Sequence, residues 1–344
     1  MMKRLLILAL LATTMLGVVA GVSAQSERLG PISQAVIDRG ELICGVNAEL
    51  AGFGMVNDAG EFSGFDVDFC RAVAAAILGD ATKVSFRPLV AADRQAAIQS
   101  GDIDLMIRNT TWTLSRDTDW GVIFGPTTFY DGQGIGVRAD LGVSTIEELD
   151  GASICVQQGT TTELNIADAI SSRGLDIAVL TFADAPATFN AYVEGRCEAW
   201  TTDKSGIVSY HAQRPAGENA ILEITLSKEP LGPLSPQSDP QFAEIIAWTV
   251  YGMITAEEKG ITSQNIGDFM DSEDPEVQRL LGIGDNASGS YLGIANDFMV
   301  NVITQVGNYG EVFDRNLGVA PFNLPRGLNA LWTDGGILYA PPFR

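Results

Sequence analysis

Short apolar runs alternate with longer amphipathic stretches in the first half of the chain, as is typical of an α/β fold. We interpret the short runs as buried strands, because they are too brief for helices and are bounded by glycine or polar residues. The longer stretches have apolar residues at helical spacing and end at Gly79 and Gly101, since glycine readily ends a helix. The predicted strands are residues 41–46, 83–87 and 103–108, and the predicted helices are residues 64–78 and 91–99.

The same order of elements recurs in the second half. Both units also contain a comparable turn, Gly-Asp-Ile-Asp at 101–104 and Gly-Arg-Cys-Glu at 195–198. Repeated β-α-β units occur throughout α/β proteins, so the correspondence leaves open whether the halves are two copies of one unit. The short connections predict mainly parallel sheets with helices on both faces. The second set of strands is predicted at residues 152–157, 176–181 and 198–202, and the helices at 161–171 and 184–194.

Two segments can carry the chain between the halves. Residues 129–137 are strand-like and rich in glycine, and residues 224–233 contain Pro230 and Pro233, which limit backbone freedom. Two crossovers mean that the chain leaves a first lobe, builds a second and returns, which predicts a hinged cleft. The length of the chain also exceeds a usual single core. We assign lobe 1 to residues 25–130, lobe 2 to 131–226, the return to lobe 1 to 227–270, and an extension that we expect to pack on lobe 1 to 271–344.

The first 24 residues have the order of a secretory signal peptide. Lys3 and Arg4 precede an apolar stretch over residues 5–19, and residues 22–24 are small. A membrane anchor is the alternative, but the apolar stretch is short for a span of about 20 residues. We therefore expect cleavage near Ala24 and release of a soluble protein into the periplasm.

The predicted mature chain is strongly acidic. The full sequence has 21 Lys and Arg against 43 Asp and Glu, and removal of Lys3 and Arg4 leaves 19 basic residues against 43 acidic ones, a net charge of −24. This charge repels phosphate backbones and anionic membranes, so we expect no nucleic-acid or membrane-surface partner. It does not exclude an anionic small ligand, because one buried arginine can dominate a pocket.

Four cysteines remain in the mature chain, an even number that suits an oxidising compartment. Their spacing fits neither a zinc site nor a thioredoxin motif, and we predict no metal. Three connectivities are possible. We favour one structural disulfide in each half, Cys44–Cys70 and Cys155–Cys197, as the simplest arrangement.

The segment after the predicted strand 103–108 carries groups that suit a carboxylate ligand, and ligands of such sheets bind beyond the carboxyl ends of the strands. Arg116 can form two parallel hydrogen bonds to a carboxylate. Asn109 and Thr111 add neutral donors or acceptors. The alternative is a polar surface loop with Arg116 in an ordinary ion pair.

The second half offers complementary groups at its own strand ends. Thr160 and Glu163 have capping-box spacing, and the free amides of the first helical turn, from Thr161 onward, can bind an anion. A well-capped helix without a ligand is the alternative. Asp203 ends the last strand, where it can accept an ammonium group or cap the next helix. A cation, an anion site and a carboxylate together indicate a receptor for a zwitterion.

Several short motifs stand out along the mature chain, at residues 64–69, 101–104, 109–116, 129–134, 158–161, 198–203, 228–233, 327–332 and 340–344. They resemble motifs of the polar amino-acid-binding proteins of ABC transporters. The resemblance spans nearly the whole mature chain and is closest to the general L-amino-acid-binding proteins of bacterial solute-binding protein family 3. It implies an α/β fold with two lobes, the type II periplasmic binding protein fold, with two crossover hinge strands and a C-terminal extension.

The resemblance also implies roles for individual residues. Arg116 is expected to bind the α-carboxylate, with Thr111 and the amide or hydroxyl of Thr161. Asp203 is expected to bind the α-ammonium, together with the backbone carbonyl of Asn109.

The subsite for the ligand side chain is less well defined. The resemblance places Phe53 and Asn47 beside the side chain. The wider family often has an aromatic residue and a proline near Leu50 and Gly52, and their absence predicts a roomier subsite. Ser235 stands where the subgroup tends to carry a basic residue.

The implied function is transport rather than catalysis. The lobes are expected to close on an L-amino acid, with broad specificity, and to deliver it to the permease subunits in the inner membrane, as a monomer without a cofactor. One alternative is an enzyme on the same scaffold, such as a dehydratase. It would need an acid or base in the cleft, for which Asp203 or Glu49 could serve. Another alternative is a ligand-presenting protein for a chemoreceptor, which would share the binding step.

Overall fold

The structure is a computed structural model that describes residues 29–286 and 288–344. The predicted signal peptide, residues 1–24, lies outside these ranges. The strands are β1 (Leu42–Val46), β2 (Glu49–Leu50), β3 (Gly54–Val56), β4 (Phe62–Ser63), β5 (Val84–Pro88), β6 (Leu105–Met106), β7 (Val122–Phe124), β8 (Phe129–Arg138), β9 (Ser153–Gln157), β10 (Ala178–Phe182), β11 (Ala199–Asp203), β12 (Asn219–Ile221), β13 (Lys228–Leu231) and β14 (Leu234–Pro236).

The helices alternate with these strands in both halves of the chain. Within the ranges that the structure describes, no helix combines the length and the apolar character that a membrane span requires. The α-helices are α1 (Pro31–Arg39), α2 (Phe65–Leu78), α3 (Arg94–Ser100), α4 (Leu114–Asp119), α5 (Thr161–Arg173), α6 (Ala185–Val193), α7 (Lys204–His211), α8 (Pro240–Glu258), α9 (Pro275–Leu281), α10 (Ser288–Leu292), α11 (Phe298–Gln305) and α12 (Tyr309–Phe313).

The first sheet contains the strands predicted in the first half and has the order β5-β1-β6-β14-β7. Strand β1 is parallel to β5 and to β6 and is buried along most of its length. Such burial on both faces explains why it is apolar without alternation. Helix α2 packs on β1 and is buried over most of its residues. The helix predicted at 91–99 begins with a 3-10 turn, Ala91–Asp93, and continues as α3.

The second sheet has the order β10-β9-β11-β8-β12, and β13 also pairs with β8. Strand β9 is parallel to β10 and β11, as the short connections predict. Strands β8, β12 and β13 form antiparallel pairs, and so does β14 in the first sheet. The prediction of mainly parallel sheets is therefore wrong around the crossovers. Parallel neighbours need a helical connection, whereas β8 arrives directly from the other lobe.

Strand β8 is the first connection between the lobes. The start of β8 pairs with β13 around Tyr130, and its end pairs with β11 and β12. One strand of 10 residues therefore belongs to the hinge and to lobe 2. Glycine is needed within it at Gly136, because a Cβ atom there would lie 2.4 Å from Nε1 of Trp200. The return connection is β13 followed by β14, which inserts between β6 and β7 of the first sheet.

The segment after residue 270 packs on the helices of lobe 1. Helix α11 contacts α2 and α8, and Arg315 forms an ion pair with Asp68 of α2 at 2.8 Å. The side chain of Asn329 bonds to both backbone groups of Tyr130 in β8. It accepts the Tyr130 N–H at 2.7 Å and donates to the Tyr130 carbonyl at 3.1 Å. The extension thus holds the lobe 1 end of the crossover strand.

Two disulfide bonds join Cys44 to Cys70 and Cys155 to Cys197, the pairing favoured from the sequence. The first joins β1 to α2, and the second joins β9 to the turn before β11. Each bond lies within one lobe. Each disulfide therefore stabilises its own lobe without restricting the hinge.

Removal of the second disulfide should lower the free energy of unfolding of lobe 2. The Cys155→Ala/Cys197→Ala variant frees a loop of 42 residues in the unfolded chain. Loop-closure entropy predicts a loss of about 4 kcal/mol. Guanidinium titration followed by circular dichroism measures the loss. Reductant should destabilise the wild type by more, because it also opens Cys44–Cys70. Equal stability of the variant and the oxidised wild type would contradict the prediction.

Candidate ligand-binding cleft

The strand ends of the two sheets face each other across a narrow cleft. Thr111 follows β6 and Thr161 begins α5, and their Oγ1 atoms lie 3.4 Å apart. Tyr210 of α7 donates a hydrogen bond from its hydroxyl to the backbone carbonyl of Glu49 at 3.0 Å. Both contacts join lobe 1 to lobe 2. The structure therefore has the two lobes closed on each other.

Arg116 of α4 is buried at this cleft. Its residue surface is 6% exposed, and Nη1 donates to the Thr111 carbonyl at 2.9 Å. The guanidinium lies over the ring of Trp120, 5.4 Å from its centroid. Burial lowers the pKa of Arg116, whereas the carboxylates of Glu229 and Asp203 raise it. No carboxylate among residues 29–286 and 288–344 lies within ion-pair distance of this guanidinium. It therefore keeps donors for an external anion.

Asp203 is the buried carboxylate at the end of β11. It occupies the N-cap position of α7, but its side chain makes no capping bond. Asp131 of β8 instead accepts the N–H of Ser205 at 3.2 Å, so Asp203 is not needed as a cap. Burial raises the pKa of Asp203 well above its usual range, and the neighbouring carboxylates of Asp131 and Glu229 raise it further. A cation would stabilise its ionised form.

Asn109 and Asn47 connect these groups on the lobe 1 side. Asn109 has a left-handed backbone with φ 31°, and its N–H donates to the carboxylate of Asp66 at 2.7 Å. The Asn109 Oδ1 atom accepts from Nδ2 of Asn47 at 3.1 Å, and the Asn109 side chain partly offsets the raised pKa of Asp203. Burial raises the pKa of Asp66 to about 7. The network places Asn109 near Asp203 and links Asn109 to Asn47.

Thr160 and Thr161 begin α5 with different contacts. The Thr160 hydroxyl oxygen accepts the Glu163 N–H at 3.1 Å, and the hydroxyl donates to the Gln157 carbonyl at 2.7 Å. The Glu163 carboxylate accepts the N–H of Gly159, so only one of the two bonds of the predicted capping box forms. The Thr160 hydroxyl is thus engaged within the helix start. Thr161 faces the cleft.

Phe53 lies among core aromatic residues. It is fully buried, and its ring centroid lies 5.1 Å from that of Phe129 and 6.0 Å from that of Phe65 in edge-to-face contacts. These rings explain its burial as core packing. A contact between Phe53 and the ligand side chain stays a prediction.

Two further arginines, not predicted from the sequence, are buried at the cleft. Arg94 of α3 is 2% exposed and Arg108, after β6, is 5% exposed. Arg94 donates to the Gly159 carbonyl of lobe 2 at 3.2 Å, and Arg108 donates to the Leu89 carbonyl at 3.1 Å. Burial lowers the pKa of both, that of Arg108 to about 10. Within the described ranges, neither forms an ion pair. Three adjacent guanidiniums therefore make the cleft favourable for anionic groups.

Glu229 of β13 is another cleft residue that the sequence patterns did not indicate. It is 1% exposed, and its Oε2 atom accepts from the hydroxyls of Thr111 at 2.6 Å and Thr161 at 3.0 Å. Its Oε1 atom accepts from Asn165 of α5 at 3.1 Å and from Ser227. One carboxylate thus contacts lobe 1, lobe 2 and the return crossover.

These features define a class of protein. Two α/β lobes joined by two crossover segments close over a cleft with a buried guanidinium and a buried carboxylate, which is the architecture of a hinged ligand-binding protein. In the part of the chain that the structure describes, no cluster of His, Cys, Asp or Glu could hold a metal ion. The sequence matches the bacterial extracellular solute-binding proteins, family 3, over residues 42–278, and the chain belongs to this family.

Relatives cover almost the whole chain. The general L-amino acid-binding periplasmic protein AapJ of Rhizobium johnstonii is 49% identical over 309 residues, 89% of this chain and 91% of the relative. The glutamate/glutamine/aspartate/asparagine-binding protein BztA of Rhodobacter capsulatus is 45% identical over 322 residues, 92% and 95% of the two chains. A solved ABC transporter periplasmic binding protein from Brucella ovis with glutathione bound has a TM-score of 0.88 and 45% identity, covering 91% and 99%. The family consists of solute-binding proteins, so the enzyme alternative has no support.

Proposed function

We propose that this protein captures L-amino acids between its lobes for an ABC transporter. The observation that carries the proposal is the presence of Arg116 and Asp203 at one closed cleft. Arg116 has unused donors for an α-carboxylate, and the ionised form of Asp203 needs a cation such as an α-ammonium. Charge-assisted hydrogen bonds of this kind contribute roughly 1.5–3 kcal/mol each. The ligands printed in the names of the two relatives, AapJ and BztA, support the same class.

Capture and delivery follow from hinge closure. An amino acid that contacts Arg116 on lobe 1 and Asp203 on lobe 2 binds the closed form more tightly than the open form, so it shifts the population toward closure. The closed monomer is then the form that the permease subunits recognise. Cleavage near Ala24 and release into the periplasm belong to this proposal, and the periplasmic relatives support it.

The side-chain subsite accepts more than one kind of amino acid. Arg94 and Arg108 offer buried cationic donors in addition to Arg116. A carboxylate or amide oxygen on the ligand side chain could pair with them. The glutathione in the Brucella ovis relative shows that a similar chain holds a ligand with two carboxylates. We therefore propose broad specificity with a preference for acidic side chains.

A thermal-shift screen of the twenty L-amino acids tests this function. Several should raise the melting temperature, with L-glutamate and L-aspartate among the strongest, because ligand at 100 times its Kd adds about 2.7 kcal/mol. The matched variant Arg108→Gln should weaken the binding of acidic amino acids about tenfold more than that of L-leucine, since only an acidic side chain pairs with the guanidinium that is lost. Recovered ligand should be chemically unchanged. A screen without any shift, confirmed by calorimetry, would rule out the proposed function.

A further inference from the structure

Glu229 accepts hydrogen bonds from the hydroxyls of both Thr111 and Thr161. A hydroxyl group carries a single proton, and an ionised carboxylate can only accept hydrogen bonds. Both threonine hydroxyls lie within hydrogen-bond distance of the same Oε2 atom of Glu229. Each hydroxyl therefore donates its one proton to Glu229. The two hydroxyl oxygens are 3.4 Å apart, and with both protons on Glu229 neither hydroxyl donates to the other.

This geometry changes what the threonines can offer a ligand. With their protons directed at Glu229, the hydroxyl oxygens present only lone pairs to the cleft. They can accept from an N–H group, but they cannot donate to a carboxylate. Donation to an α-carboxylate then rests on Arg116 and on the backbone amides of Thr161 and Thr162, the first two of α5, since the Thr160 hydroxyl already caps that of Glu163.

Glu229 also joins three parts of the molecule. Thr111 belongs to lobe 1, Thr161 and Asn165 belong to α5 of lobe 2, and Ser227 precedes the crossover strand that carries Glu229. All of these donors meet one carboxylate that is 1% exposed. Hydrogen bonds to a buried charged group are stronger than neutral ones. Rotation of lobe 2 about the hinge would therefore have to break or rearrange them.

We propose that Glu229 is a positioning residue of the ligand-binding cleft. It orients the Thr111 and Thr161 hydroxyls so that they act as hydrogen-bond acceptors toward a ligand, and it ties the closed lobes to the return crossover. This inference rests on the proposed function for its ligand-binding half. The other half, that Glu229 ties the closed lobes to the return crossover, concerns the protein without any ligand. The two halves therefore have separate readouts.

A double-mutant cycle tests the state of the hydroxyls. Calorimetry with L-glutamate compares Thr161→Val in the wild type and in Glu229→Gln. If the Thr161 hydroxyl donates to Glu229, Thr161→Val should lower the affinity about tenfold in the wild type. In the Glu229→Gln background it should lower the affinity less than about threefold, because the hydrogen bond between residues 161 and 229 is already weakened there. Equal losses in both backgrounds would show that Thr161 donates directly to the ligand and would overturn this assignment.

Small-angle X-ray scattering of the proteins without amino acid tests the fastening. Glu229→Gln should have a larger radius of gyration than the wild type, since its neutral amide holds the donors less strongly. The control Glu223→Gln changes an exposed glutamate in the same part of the chain and should match the wild type. An unchanged radius in Glu229→Gln, with normal circular dichroism, would overturn the fastening. Failure of the wild type to bind any amino acid would instead refute the proposed function, and the scattering result would still stand.

Discussion

Arg116→Ala should abolish measurable amino-acid binding in isothermal titration calorimetry. The variant leaves a ligand carboxylate in a closed, buried cleft without its cation, and an unpaired buried charge costs about 3–5 kcal/mol. This corresponds to a loss of roughly a hundredfold to several thousandfold in affinity. Arg116→Lys keeps the charge but loses the two-pronged geometry, so it should recover only part of the affinity.

The matched control is Arg87→Ala, which removes an exposed arginine of β5. It should bind amino acids like the wild type, so a loss confined to Arg116 cannot come from net charge. Near-normal affinity of folded Arg116→Ala would refute its assignment as the carboxylate-binding residue.

Asp203→Asn should weaken amino-acid binding about a hundredfold. It should also reduce the number of protons that the protein releases when an amino acid binds. Burial raises the pKa of Asp203 well above its usual range, and at a pH near this raised pKa part of the free protein holds the carboxyl protonated. An ammonium ligand favours the ionised form, and binding therefore releases protons. The affinity of the wild type should fall as the pH is lowered through the raised pKa of Asp203.

Calorimetry in buffers of different ionisation enthalpy measures the released protons. The wild type and the control Asp168→Asn, which alters an exposed carboxylate of α5, should release protons to the same extent. Asp203→Asn should release fewer. Unaltered proton release in Asp203→Asn would place the ammonium elsewhere.

The regular elements of both sheets could be predicted because their apolar runs and glycine stops are local signals. The strands at 41–46 and 152–157 and the helix at 161–171 lie within two residues of β1, β9 and α5. The short sheet β2-β3-β4 was missed, because its strands have only two or three residues. The direction of β8 was also missed. Strand direction depends on which lobe the chain comes from, and no local pattern records that.

The cleft could be predicted only in part for a similar reason. Arg116 and Asp203 follow predicted strands, so the topology itself pointed to them. Arg94 lies in an amphipathic helix, where an arginine is usually a surface residue, and Glu229 lies in a short crossover strand. Both residues make contacts across the cleft, Arg94 with the Gly159 carbonyl and Glu229 with the Thr161 hydroxyl. Contacts between segments far apart in sequence leave no periodic signal.

The position of β14 makes the first sheet depend on chain that follows lobe 2. As a chain emerges from its N-terminus, the strands of the second sheet become available together, by residue 231. The first sheet starts earlier in the sequence, yet it stays divided between β6 and β7 until residues 234–236 arrive. Only Gly232 and Pro233 separate β13 from β14, but lobe 1 also packs against α8, α11 and Asn329, which are synthesised later, so lobe 2 can fold first. The segment bearing Arg116 gains a complete sheet only then, so a partly translocated chain has a finished lobe but no functional clamp.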